Sequence, residues 1–210
     1  MSKLEDSIEN LYSAFCDANK PRVIEGCDCC IDENQIAKLL STPLRQIEPD
    51  DISSYASSAF LTVGETSDYL YFLPRILEIS AKDEWWWPDI EVTGRAVFET
   101  HPLDWPALRK QALDEFLQEV LGELIEKRNV EGIDSWLCAI ARMGIDVSPF
   151  LRIMETSPAA VAEYYRANCR KLDTGKLANE FWDRPNEGHD VIIEWLRRED
   201  ITKLGNEYWP

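Results

Sequence analysis

The stretch DWPALRKQALDEFLQEVLGELIEKR, residues 104–128, decides the fold class. Asp104 is an N-cap residue type and Pro106 suits a first helical turn. The pairs Phe116/Leu117, Val120/Leu121 and Leu124/Ile125 then recur every four residues, which lines one side of a helix with apolar groups. Asp114, Glu115, Glu119, Glu123 and Glu126 fall at helical spacing too, and read as a solvated face.

The same period governs most of the chain. In LEDSIENLYSAF the set Leu4, Ile8, Leu11, Tyr12 and Phe15 shares one face. IDENQIAKLLS repeats the pattern with Ile36, Leu39 and Leu40. There Asp32 is the expected N-cap, and Gln35 completes a capping box. EPDDISSYASSAFLTVG, residues 48–64, opens with Pro and acids and predicts a helix stopping at Gly64. In SDYLYFLPRILEIS, Pro74 predicts a kink or the start of a second segment, and Arg75 and Glu78 are spaced to pair. Further helices are expected at about 131–143, 147–155, 158–171, 174–182 and 188–198. IEVTGRAVF alternates like a strand but fits a helix equally well. The expected fold is therefore all-α: either an irregular, HEAT-like stack of antiparallel helical hairpins or a compact multi-helix bundle. No fixed 34–47-residue repeat supports a regular solenoid. The 210 residues suit a single domain, 1–210, with a subdivision near 128–132 as the natural break.

Composition narrows the partners. Thirty-nine acidic against 22 basic residues give a net charge of −17. The excess is spread evenly, about −6 over 1–60, −7 over 61–130 and −4 over 131–210. Nucleic acid and anionic membranes need clustered Lys and Arg, so neither is an expected partner. The charge is compatible with a basic protein partner, and the alternative is the ordinary solubility of an acidic cytosolic protein. The opening MSKLEDSIENLYSAFCDANK lacks the apolar core of a signal peptide, and no window reads as a membrane span. Six cysteines without an export signal predict reduced thiols in the cytoplasm.

Three segments carry candidate chemistry. EGCDCCIDEN, residues 25–34, places Cys27, Cys29 and Cys30 in four positions. They are the candidate metal ligands, with zinc the candidate ion. The second ligand pair of a zinc motif is missing, because Cys16, Cys138 and Cys169 and the two histidines, His101 and His189, stand apart. Cys27-x-x-Cys30 ahead of a helix also has redox spacing, outside a thioredoxin-type strand–helix unit. The alternative to both is a turn at Gly26 whose thiols pack beneath the first two helices. AKDEWWWPDIEV raises a different question. Trp85, Trp86 and Trp87 diverge by about 100° per residue on a helix, so they do not all face one core. They are the candidate partner-binding residues, against the alternative of a loop that roofs the core. At the C-terminus, Tyr208 and Trp209 are expected to tuck against the last helices. Catalytic patterns are missing: the sequence has no G-x-S-x-G, H-E-x-x-H or P-loop, and no Glu-x-x-His pair of a carboxylate-bridged metal bundle.

GCDCC, AFLTVGETSDYLYFLPRILE and WWWPDIEV, together covering about residues 26–100, resemble a family of bacterial cytosolic proteins with no assigned activity. The resemblance implies a bacterial cytosolic source and no mechanism. The expected function is a non-enzymatic, acidic helical protein that binds a protein partner, in its most concrete form a bacterial immunity or antitoxin-like protein masking a basic partner. The alternative is a small metal-binding or thiol-dependent regulator using Cys27, Cys29 and Cys30.

Overall fold

The computed structural model describes residues 2–183 and 187–207. Tyr208 and Trp209 lie outside the described residues. Eleven α-helices and three short 3₁₀ turns make up the regular structure among the described residues, so the protein is all-α. No described helix is long and apolar enough to cross a membrane. The residues divide into two compact units, 1–116 and 117–210, with the division inside the long helix of 107–127.

The first unit holds α1 (Lys3–Ala14), α2 (Glu33–Ser41), α3 (Pro49–Ser58), α4 (Thr66–Lys82), α5 (Ile90–Glu99) and the start of α6 (Ala107–Lys127). Helix α1 is set by a capping box in which Ser2 Oγ accepts from the Glu5 amide and Glu5 accepts from the Ser2 amide. Its apolar face, Leu4, Ile8, Leu11, Tyr12 and Phe15, is buried as the spacing predicts. The expected capping box of α2 forms as well: Asp32 accepts from the Gln35 amide at 2.8 Å and Gln35 accepts from the Asp32 amide at 3.1 Å. Helix α4 packs on α1, α3 and α5 and runs unbroken through Pro74, which is buried. Full burial of Phe72, Leu73, Ile76 and Leu77 contributes roughly 1.5–3 kcal/mol for each side chain.

Two expectations are corrected here. Helix α3 stops at Ser58, not Gly64, because residues 59–64 turn back to bond with the cysteine loop. Asp104 does not cap α6; it lies in a 3₁₀ turn, Pro102–Asp104, and the first α6 amides bond to the Pro106 carbonyl. Segment 90–99, which the sequence left open between strand and helix, is helix α5 and packs on α3 and α4.

The second unit contains the rest of α6 with α7 (Val130–Arg142), α8 (Ser148–Met154), α9 (Pro158–Leu172), α10 (Glu187–Leu196) and α11 (Glu199–Glu207). Helix α9 is the hub, packing against α7, α8, α10 and α11. The predicted helix at 174–182 is not α-helical. A turn at Asp173–Gly175 is followed by a 3₁₀ turn, Glu180–Asp183, and Asn168 holds this connection by accepting from the Ala178 amide at 2.8 Å. The helix expected at about 188–198 is α10, which ends at Leu196, and a further helix not anticipated from the sequence, α11, starts at Glu199. The region near 128–132 is the link from α6 to α7, where Arg128 has a left-handed φ of 56° and Asn129 caps α7 through the Gly132 amide.

Candidate functional site

The cysteine loop is built by its neighbours in the first unit. Residue 26 bridges Val63 in antiparallel fashion. The Cys27 amide donates to the Thr62 carbonyl at 2.9 Å, and the Gly64 amide donates to the Glu25 carbonyl at 2.8 Å. A Cβ at Gly26 would lie 3.0 Å from Ile31 Cγ2 and 3.1 Å from Val63 Cγ2, so the close approach of the two strands of chain selects glycine. The loop then closes on itself, with the Cys30 and Ile31 amides both donating to the Cys27 carbonyl. Ile24, Ile31 and Val63 are buried beneath it.

That scaffold turns the thiols outward. Cys27 and Cys29 are exposed and Cys30 is half-buried, so they do not pack beneath the first two helices. The physical reason is the turn itself: with Ile24 and Ile31 pinned inward, the intervening tip projects from the surface. The three sulfurs converge. Cys27 Sγ and Cys29 Sγ are 2.7 Å apart, Cys29 Sγ and Cys30 Sγ 3.6 Å, and all three lie within 4.8 Å of one another. The Cys29 thiol holds Cys27 below its ordinary value by hydrogen bonding to it. The reciprocal contacts, Cys27 first and then Cys30, push Cys29 up to about 11. The first proton therefore leaves Cys27, and Cys29 keeps its own at neutral pH. Among the described residues no fourth His, Cys, Asp or Glu atom joins this group.

The tryptophan corner follows α4 in the same unit. Asp83 ends that helix, accepts from the Trp85 amide at 3.0 Å through its side chain and from the Trp86 amide through its carbonyl. The three indoles separate, but in the turn between α4 and α5 and not on a helix, as their spacing was taken to imply. Trp86 is buried and donates from Nε1 to the Pro49 carbonyl at 3.0 Å, while Trp85 is 85% and Trp87 58% exposed. The corner thus both covers the core and presents aromatic surface. Its surroundings are acidic: Asp83, Glu84 and Asp89 are exposed, and Trp86 ties the loop to the start of α3, where Glu48 and Asp50 are exposed as well. Lys82 is engaged by Glu78 and Lys38 by Asp51.

A third polar centre, in the second unit, carries no motif. Asp134 is buried on α7 and accepts from the Tyr164 hydroxyl at 2.6 Å and from Trp182 Nε1 at 3.2 Å. Burial pushes its carboxyl above the ordinary range, against the opposing bonds from Tyr164, Trp182 and Asn179. A cleft of about 290 Å³ opens beside it, lined by Val130, Glu131, Ser135, Asn168 and Asn179. The sequence offered one signal for it, a lone acid flanked by Ile133 and Trp136 on a helix that otherwise buries apolar groups.

Compared with protein-family models, with curated proteins and with solved structures, the chain matches none.

Proposed function

We propose that the chain is a non-enzymatic binding protein of a bacterial cytoplasm that holds a basic protein partner. In its most specific form it is an immunity-type protein masking a basic toxin domain. The observation that carries this reading is the tryptophan corner, where Trp85 and Trp87 stand in solvent on a loop that buried Trp86 anchors. An indole face attracts Arg and Lys, and tryptophan is enriched among residues that dominate binding energy. The exposed acids around the corner and the net charge of −17 complement the same partner chemistry and would speed its encounter. They also oppose binding to nucleic acid and anionic membranes.

The test is site-specific photo-crosslinking in a bacterial cytosol, with a benzophenone amino acid in place of Trp85. The expected result is one recurring protein adduct of isoelectric point above about 9, lost when Trp87→Ala is added. Acidic adducts, or a scatter of adducts unaffected by Trp87→Ala, would overturn the reading.

A further inference from the structure

Apart from the basic-partner reading, the cysteine loop has its own chemistry. We propose that Cys27, Cys29 and Cys30 form a three-coordinate thiolate site for a soft monovalent metal ion, with Cu(I) as the biological candidate.

Geometry and ligand count carry the assignment. Sulfurs that share one ion at about 2.3 Å stand roughly 3.7–4.0 Å apart. Cys29 and Cys30, at 3.6 Å, stand just short of that spacing. Cys27 and Cys29, at 2.7 Å, need to open by about 1 Å, a side-chain rotation that their exposure permits. The backbone beneath is held, with the Cys27 amide bonded to Thr62 and its carbonyl bonded within the loop. A zinc site would want a fourth ligand to close a tetrahedron. The group holds three ligating atoms among the described residues, and three thiolates suffice for a trigonal soft ion. Charge pulls the other way, since acids at Glu25, Asp28 and Asp32 favour the more positive ion. Ligand softness and coordination number outweigh it here, because those carboxylates are exposed and screened.

The proton balance is simple. Each sulfur that joins the ion as thiolate gives its proton to solvent, and the metal changes no oxidation state. A thiol must lose its proton to bind as thiolate, so binding displaces protons. Affinity then rises about tenfold per pH unit for each proton displaced. Exposure of the sulfurs also means that an incoming thiolate can reach the ion, so the site suits exchange with other thiol donors.

The experiment uses the full reduced chain under anaerobic conditions, titrated with Cu(I) against a chromophoric Cu(I) chelator. One equivalent per chain is expected. The affinity should fall at least about 100-fold in Cys27→Ser/Cys29→Ser/Cys30→Ser and stay unchanged in Cys16→Ser/Cys169→Ser. Circular dichroism of the triple variant should match the parent, because the thiols it removes lie at an exposed tip. Binding should tighten between pH 6 and pH 8. Undiminished Cu(I) affinity in the triple variant would overturn the site. Preferential uptake of one Zn(II), with tetrahedral bands when Co(II) replaces it, would overturn the three-coordinate assignment.

Discussion

The Tyr12 hydroxyl donates a 2.6 Å hydrogen bond to the Glu78 carboxylate, joining α1 to α4 across 66 positions of sequence. The same carboxylate meets Arg75 and Lys82, both at 2.8 Å, and Arg75 reaches on to the Ile47 carbonyl at 2.9 Å. Three donors thus converge on one partly buried acid, and they bind its charged form.

That convergence predicts acid sensitivity at Glu78. Burial pushes its carboxyl up, but Lys82, Tyr12 and Arg75 together outweigh burial and hold it at about 2, below the ordinary 4.5. The folded value is the lower one, so the stabilisation is complete above about pH 4.5 and is lost as pH falls toward 2. Allowing for solvent screening of a partly exposed group, it contributes about 1–2 kcal/mol at neutral pH. Glu78→Gln should cost that much in urea unfolding at pH 7, and the gap should close progressively below pH 4.5. A gap that stays constant down to pH 2.5 would show that the charge is not what Tyr12 and Arg75 recognise.

The tryptophan corner predicts unequal costs for neighbouring residues. Trp86→Ala removes a buried indole and its bond to Pro49, and should destabilise by about 3–5 kcal/mol. Trp85→Ala, at an exposed position, should stay within about 0.5 kcal/mol. Trp86→Phe keeps most of the packing and loses the hydrogen bond, a cost of about 1 kcal/mol. Chemical denaturation of the three variants checks the order, and equal losses for Trp85→Ala and Trp86→Ala would refute it.

How far the sequence could be read depended on whether a feature is local. The α1 and α2 faces, the Asp32–Gln35 capping box and the Arg75–Glu78 pair were legible, since each is fixed by residues three or four apart. The early end of α3 was not, because the bridge from Val63 to residue 26 spans 37 positions and no periodicity encodes it. For the same reason the three cysteines were legible as a cluster, while their outward orientation was not: it depends on Ile24 and Ile31 being pinned inward beside Val63. The Asp134 centre showed in the sequence only as a lone acid on an apolar helix face, since its partners Tyr164 and Trp182 are 30 and 48 positions away. The 174–182 segment misled because a helical pattern of apolar residues does not report that Asn168 captures the Ala178 amide.

Asp134 should give a pH dependence of the opposite sign to Glu78. Its folded carboxyl is raised above the ordinary 3.8, so ionisation opposes folding, and stability falls as pH rises from about 3.8 through the folded value. Asp134→Asn keeps an oxygen for Tyr164 and Trp182 but cannot ionise. Its stability relative to the parent should therefore improve across that window and then level off. Asp134→Ala cannot ionise either but strands two buried donors, so it should run parallel to Asp134→Asn and about 2–4 kcal/mol below it. Thermal unfolding between pH 3.5 and 8 distinguishes the two variants, and identical pH profiles for Asp134→Asn and the parent would contradict the raised carboxyl.

Glycines on two helices predict opposite outcomes for one substitution. A Cβ at Gly205 on α11 would sit 2.1 Å from Tyr165 Cδ1 and 2.6 Å from its Cγ, so the α9–α11 contact leaves no room for a methyl group. Gly205→Ala gains roughly 0.5–1 kcal/mol of helix propensity but forces Tyr165 or the helix to move. The clash involves ring atoms next to the backbone rather than a flexible side-chain end, so it wins, at a net cost of about 1–3 kcal/mol. At Gly122 in α6 nothing lies within 4 Å of the added Cβ, and Gly122→Ala should stabilise by about 0.5–1 kcal/mol. Shortening Tyr165 to alanine removes the obstructing ring. The double variant Tyr165→Ala/Gly205→Ala should then be more stable than the two single costs sum to, by at least about 1 kcal/mol of favourable coupling. Strictly additive costs in urea unfolding would mean that the ring is not what excludes a side chain at position 205.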